Sequence, residues 1–195
     1  MSVKLDRSAL SSLQFNVSQL LKSDVGTSRV YSFAADGPLD LDGSQARDIH
    51  GSVKFMLTNF GIIAGIDADA TLQLVCARCL EPFESPTHIA MEEEYRPSID
   101  VITGLPSESP PSDTAFSINQ NHTIDLDEAI RQELLLTEDL LPLCSEDCKG
   151  LCPTCGINRN TNLCDCSNSE ELSPFAVLQQ LITDQEAPME RKGEN

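Results

Sequence analysis

The residues with the most definite chemistry in this 195-residue chain are its eight cysteines. Six of them crowd between residues 144 and 166: Cys144, Cys148, Cys152, Cys155, Cys164 and Cys166. That stretch offers only Leu143, Leu151, Ile157 and Leu163 as sizeable apolar residues, too little carbon to fix its own shape. A unit so small needs a staple, either a metal ion or disulfides. In Cys152-Pro-Thr-Cys155-Gly156 two thiols can grip one ion from a single turn, and Gly156 permits the positive φ that lets backbone amides face the sulfurs. Thiolate ligands at a tetrahedral site select zinc. Four thiolates around Zn²⁺ leave a net charge of about −2, which Lys149 and Arg159 are placed to offset. Coordination of this kind supplies roughly 10–16 kcal/mol of folding free energy in small peptides, enough to order a segment that has no core.

The preferred ligand set is Cys152, Cys155, Cys164 and Cys166, the second pair following across the polar turn Asn158–Asn162. Cys144 and Cys148 form a third pair, which either replaces Cys164 and Cys166 or serves a second ion. A two-metal cluster with bridging sulfurs, or iron–sulfur ligation, uses the same thiols. Cys76-x-x-Cys79 supplies two ligands by itself. If it borrows Cys144 and Cys148, the eight cysteines make two sites of four. Its other readings are a redox pair, which would need a strand-turn-helix setting, and a β-turn whose small sulfurs pack inside. Catalytic signals are poor. His50, His88 and His122 lack the spacing of a metal pair or triad, no serine sits in a nucleophile elbow, and no glycine-rich phosphate loop is present. Glu92-Glu93-Glu94 reads as a solvated strand end.

The elements that must position these thiols follow from the apolar pattern. Ser28–Ala34, Asp48–Phe60 and Ile62–Leu74 alternate apolar and polar residues, as strands do. A further strand runs from Phe83 to Tyr95, and Cys76–Pro82 is the turn before it. Residues 1–25 read as an irregular lead-in with a short strand or helix. Residues 98–121 are rich in Pro, Ser and Asp and read as a mobile loop. Leu126, Ile130, Leu134 and Leu135 recur at helical spacing behind Asp125 or Asp127 as a cap. Ser173-Pro174 opens a short terminal helix. The expected fold is α+β: a curved antiparallel meander with one or two packed helices and a small zinc knuckle. Its expected parts are a core domain over 1–142, a cysteine-rich knuckle over 143–167, a helix over 168–183 and a disordered tail over 184–195.

Charge bounds the partners. With 31 acidic against 13 basic residues, the formal net charge is −18. A polyanion such as RNA is repelled by the average field of such a surface, and no Lys/Arg run offers a local exception. A basic protein partner suits it better. No segment is long and apolar enough to span a bilayer, and Met1–Arg7 has no continuous apolar stretch of signal-peptide type. A cytoplasmic protein is expected, and reducing conditions there favour metal ligation over disulfides.

Cys76-Ala-Arg-Cys79-Leu-Glu-Pro-Phe83 after an alternating strand resembles the central motif of the YceD family. Ile124-Asp-Leu126 opening a helix and Ser173-Pro-Phe-Ala-Val-Leu178 resemble its other landmarks, and Cys148–Gly156 resembles the cysteine-rich insert of many of its members. The resemblance spans about Thr71 to Ile182. It implies a non-enzymatic protein needed for accumulation of the large-subunit ribosomal RNA, through its synthesis, processing or stability. Ribosomal proteins or a pre-large-subunit particle are then the implied partners. Since some relatives lack the C-terminal cysteines, the insert is expected to stabilise rather than to act in a universal step. A thiol redox protein using Cys76 and Cys79, or a zinc-dependent adaptor, is the competing expectation.

Overall fold

The computed structural model describes residues 13–35, 37–107 and 115–166. The expected helix at 168–183 and the tail after it lie outside these residues. Among the described residues there are eight strands and two helices: β1 (Gln14–Asn16), α1 (Ser18–Leu21), β2 (Ser28–Ala34), β3 (Leu39–Asp40), β4 (Gln45–Leu57), β5 (Ile62–Val75), β6 (Pro82–Pro97), β7 (Phe116–Ile118), β8 (Thr123–Asp125) and α2 (Asp127–Thr137). An open six-stranded sheet runs β2-β4-β5-β6-β7, with β3 also paired to β4. A small second sheet pairs β1 with β8. The chain divides into two compact units, Met1–Cys148 and Lys149–Asn195.

β5 is the clearest case of pattern becoming structure. Ile62, Ala64, Ile66, Ala68, Ala70, Leu72 and Leu74 are buried on one face, while Asp67 and Asp69 stand exposed on the other. A period of two therefore commits the strand to one orientation. Its neighbours β4 and β6 are long and antiparallel, β6 in continuous register along its whole length and β4 with one bulge between Arg47 and His50. Gly51 of β4 faces Ala68, and a Cβ there would lie 2.2 Å from the Asp67 carbonyl oxygen, so the strands approach where only glycine fits.

α2 packs against β6 and β3, burying Ala129, Ile130 and Leu134 in the same core as the sheet residues. The Asp125 carboxylate accepts the Asp127 amide at 3.0 Å, which orders its first turn. The lead-in is more regular than its pattern suggests. Phe15 on β1 meets Tyr31, Phe33 and Phe55, with ring centroids 5.5–6.5 Å apart. Within the stretch 98–121, β7 joins β6 in parallel, and Phe116 stacks on Tyr95 at 5.3 Å.

Candidate metal centres

The two strands β5 and β6 end at the same height, and the turn between them carries the first thiols. Cys76 donates its N–H to Glu81 O at 3.0 Å, and Leu80 donates to Cys76 O at 2.9 Å. Leu80 itself is left-handed, with φ of 60°. The turn presents Cys76 and Cys79 on its inner side, where both are buried. The second pair comes from the segment that follows α2. Ala77 donates to Pro142 O at 2.8 Å, bringing that segment against the hairpin tip. Cys148 is buried there and Cys144 is exposed.

The result is one compact group of Cys76, Cys79, Cys144 and Cys148, with the four sulfurs within 4.8 Å of one another. The closest approaches are 3.8 Å for Cys76 to Cys148 and 3.7 Å for Cys79 to Cys144. Phe83 and Leu143 pack against the group and dry one side of it. Arg78 donates from Nη1 to the carbonyls of Glu146 and Cys148, at 3.2 and 3.1 Å. Its guanidinium thus ties the second ligand loop to the first and brings positive charge beside the sulfurs. The expected strand, turn and strand account for Cys76 and Cys79. Arg78 and the left-handed Leu80 carry no sequence signal of their own.

In the second compact unit the turn at Cys152 repeats this hydrogen-bond pattern. Gly156 donates to Cys152 O at 2.9 Å, Cys152 donates to Ile157 O at 2.8 Å, and Gly156 has φ of 72°. Asn158 organises the return. Its side-chain oxygen accepts the Asn160 amide at 3.0 Å and its carbonyl accepts that of Asn162, also at 3.0 Å. A second group of four then forms from Cys152, Cys155, Cys164 and Cys166, again with all sulfurs within 4.8 Å. Lys149 and Arg159 line the same hollow as Cys152, Cys164 and Cys166. The geometry thus sorts the eight cysteines into two sets of four, each of which could hold a metal ion.

The thiols within each set are unequal. Amide hydrogen bonds, first from Cys144 and then from Cys79, pull Cys76 down to about 6 against the opposing effect of burial. The amides of Cys155 and Thr154 do the same for Cys152, also to about 6. Cys144 is pushed up to about 12 by its contact with Cys76 and by burial. Cys166 is pushed up to about 12 by its contact with Cys155 and by burial. Cys76 and Cys152 are thus drawn towards the thiolate form, while Cys144 and Cys166 are held towards the protonated thiol, so a cation entering either set would displace protons.

Among the described residues the remaining titratable groups make no comparable centre. β4 and β6 put His50 and His88 on either side of Asp69. His88 lies 3.0 Å from Asp69 and 3.8 Å from Asp67, all of them exposed. His50 contacts the Asp48 carbonyl at 2.6 Å. Glu94 pairs with Arg96 at 3.1 Å, and burial, then Glu133, raises Glu93. Among the described residues no helix is long and apolar enough to cross a membrane.

The family model described as large ribosomal RNA subunit accumulation protein YceD matches residues 65–182. That range is more than half of the chain and takes in all eight cysteines. The chain belongs to the YceD family. It is also similar to uncharacterized proteins of Mycobacterium bovis and of two Mycobacterium tuberculosis strains, at 34% identity over 82 residues. The match covers 42% of this chain and only 37% of each relative's length. No solved structure matches.

Proposed function

We propose that this YceD-family chain is a non-enzymatic, cytoplasmic ribosome-biogenesis factor. It supports the synthesis, processing or stability of large-subunit ribosomal RNA through contacts with basic ribosomal proteins, free or on a pre-large-subunit particle. The family match carries the link to ribosomal RNA, and charge selects the route. A chain of formal net charge −18 is repelled by RNA and attracted to the basic proteins that assemble on it. The open face of the main sheet supports that reading, since Asp67 and Asp69 on β5 and Glu84 and Glu92 on β6 all stand exposed on it. The group Cys152, Cys155, Cys164 and Cys166 holds a structural zinc ion. Four thiolates close its coordination shell, which leaves no position for a substrate.

A thiol redox role for Cys76 and Cys79 has less support. The pair sits in a turn between antiparallel strands, not at a helix N-terminus, and each of its sulfurs already faces one from the second pair.

Two measurements test the proposal. Depletion of the protein in its native cells is expected to lower mature large-subunit rRNA relative to small-subunit rRNA. Unchanged large-subunit species would refute the ribosomal role. Tagged protein is expected to retain basic ribosomal proteins from nuclease-treated lysate at low salt and to release them at high salt. Binding of purified rRNA with a steep salt dependence would refute the protein-mediated route.

A further inference from the structure

We propose that Cys76, Cys79, Cys144 and Cys148 form a second tetrathiolate zinc site, a clamp that fixes the tip of the β5–β6 hairpin to the segment following α2. The inference concerns this group alone and stands apart from the ribosomal reading.

Three observations carry it. The first is spacing. Four sulfurs, each about 2.3 Å from a central zinc at tetrahedral angles, lie about 3.8 Å apart. The closest approaches in the structure are 3.8 and 3.7 Å, far from the roughly 2.05 Å of a disulfide. The second is the backbone. The Cys76–Glu81 turn closes with the same two hydrogen bonds as the Cys152–Ile157 turn, N–H of the fifth residue to the first carbonyl and N–H of the first to the sixth carbonyl. Both put the residue after the second cysteine in the left-handed region. Gly156 does this without strain, whereas Leu80 holds it as a branched residue. A strained left-handed leucine persists only where surrounding structure enforces it, and an ion gripped by both ends of the turn is such an enforcer. The third is compensation of charge. A zinc tetrathiolate carries about −2, and Arg78 is anchored by two hydrogen bonds to the loop that carries Cys148.

The clamp closes long loops. It joins Cys76 to Cys148 across 72 positions and Cys79 to Cys144 across 65. The apolar core of this unit does not depend on it, since the sheet and α2 bury their own residues. Loss of the ion therefore lowers the stability of the main unit without abolishing its fold. The described part of the cysteine-rich unit contributes nothing to that core and is expected to lose its shape.

Full-length protein purified under reducing conditions without added metal is expected to contain two zinc ions per chain by elemental analysis. Cys76→Ser/Cys79→Ser and Cys152→Ser/Cys155→Ser are each expected to contain one. A wild-type chain with a single zinc, retained in Cys76→Ser/Cys79→Ser, overturns the proposal, as does iron at this site. If the double variant fails to fold, cobalt titration of the metal-free wild-type chain decides. Tetrahedral cobalt–thiolate absorption is expected to saturate at two equivalents. Saturation at one overturns the proposal.

Discussion

The two cysteine turns share a backbone but not a residue at its strained position, and swapping those residues should shift zinc affinity in opposite directions. In Gly156→Ala, a Cβ meets nothing within 4 Å, so no steric clash contributes. What remains is the left-handed backbone at φ of 72°, which costs an L-residue about 1–2 kcal/mol. Where an ion organises a segment, folding energy is binding energy, so zinc should bind the Cys152 group about 5–30-fold more weakly. Leu80→Gly is the reverse change. Leu80 has φ of 60° and is 62% exposed, so little packing is lost. Relief of the same strain is partly offset by the greater entropy of glycine in the unfolded chain, roughly 0.5–1 kcal/mol. The net expectation is tighter binding at the Cys76 group by up to about 13-fold. Competition against a chromogenic chelator at fixed pH, with each variant carrying only the site under study, reads both shifts. Wild-type affinity in Gly156→Ala, or weaker binding in Leu80→Gly, would refute the argument from backbone geometry.

Other expectations concern the scaffold. Gly51→Ala should destabilise the main unit by about 1–3 kcal/mol in denaturant titration, because its Cβ would fall 2.2 Å from the Asp67 carbonyl oxygen. Tyr95→Phe removes the hydroxyl that donates to the Asp125 carbonyl at 3.2 Å, and should cost about 1 kcal/mol by the same assay. Glu93 is raised in the folded state by burial, then by Glu133. A carboxyl raised on folding opposes the fold once ionised, so its cost is absent at low pH and grows as pH rises through the unfolded and then the folded value. Glu93→Gln should therefore stabilise the protein at neutral pH by a few tenths of a kcal/mol, and the gain should vanish in acid. An unchanged gain at low pH would contradict this.

The sequence was most legible where a single period governs one element. The alternation through β5 and the helical spacing of Leu126, Ile130 and Leu134 both correspond to elements of the fold. Features set by distant pairing were not legible. Gln14 of β1 pairs with Asp125 of β8 across the whole main unit, and nothing local to Phe15 announces the aromatic cluster it joins. β7 is three residues long and emerges from a stretch whose Pro, Ser and Asp content reads as loop. The cysteines divide in the same way. Cys152, Cys155, Cys164 and Cys166 are near neighbours in the chain, so spacing made them the preferred set while leaving Cys144 and Cys148 as an alternative to the second pair. Grouping Cys76 and Cys79 with Cys144 and Cys148 depends on where α2 delivers the chain after it crosses β6 and β3, and spacing left that choice open. Leu80 shows a subtler limit. A leucine carries no mark of a left-handed backbone, and only the hydrogen bonds around it reveal that it stands where Gly156 stands in the other turn.

Zinc K-edge absorption fine structure on reduced, full-length protein examines the coordination itself. Tetrathiolate sites predict a first shell of four sulfurs at about 2.3 Å with no nitrogen or oxygen scatterer. A shell containing nitrogen or oxygen, or protein free of zinc whose sulfurs are paired at about 2.05 Å, would contradict the account.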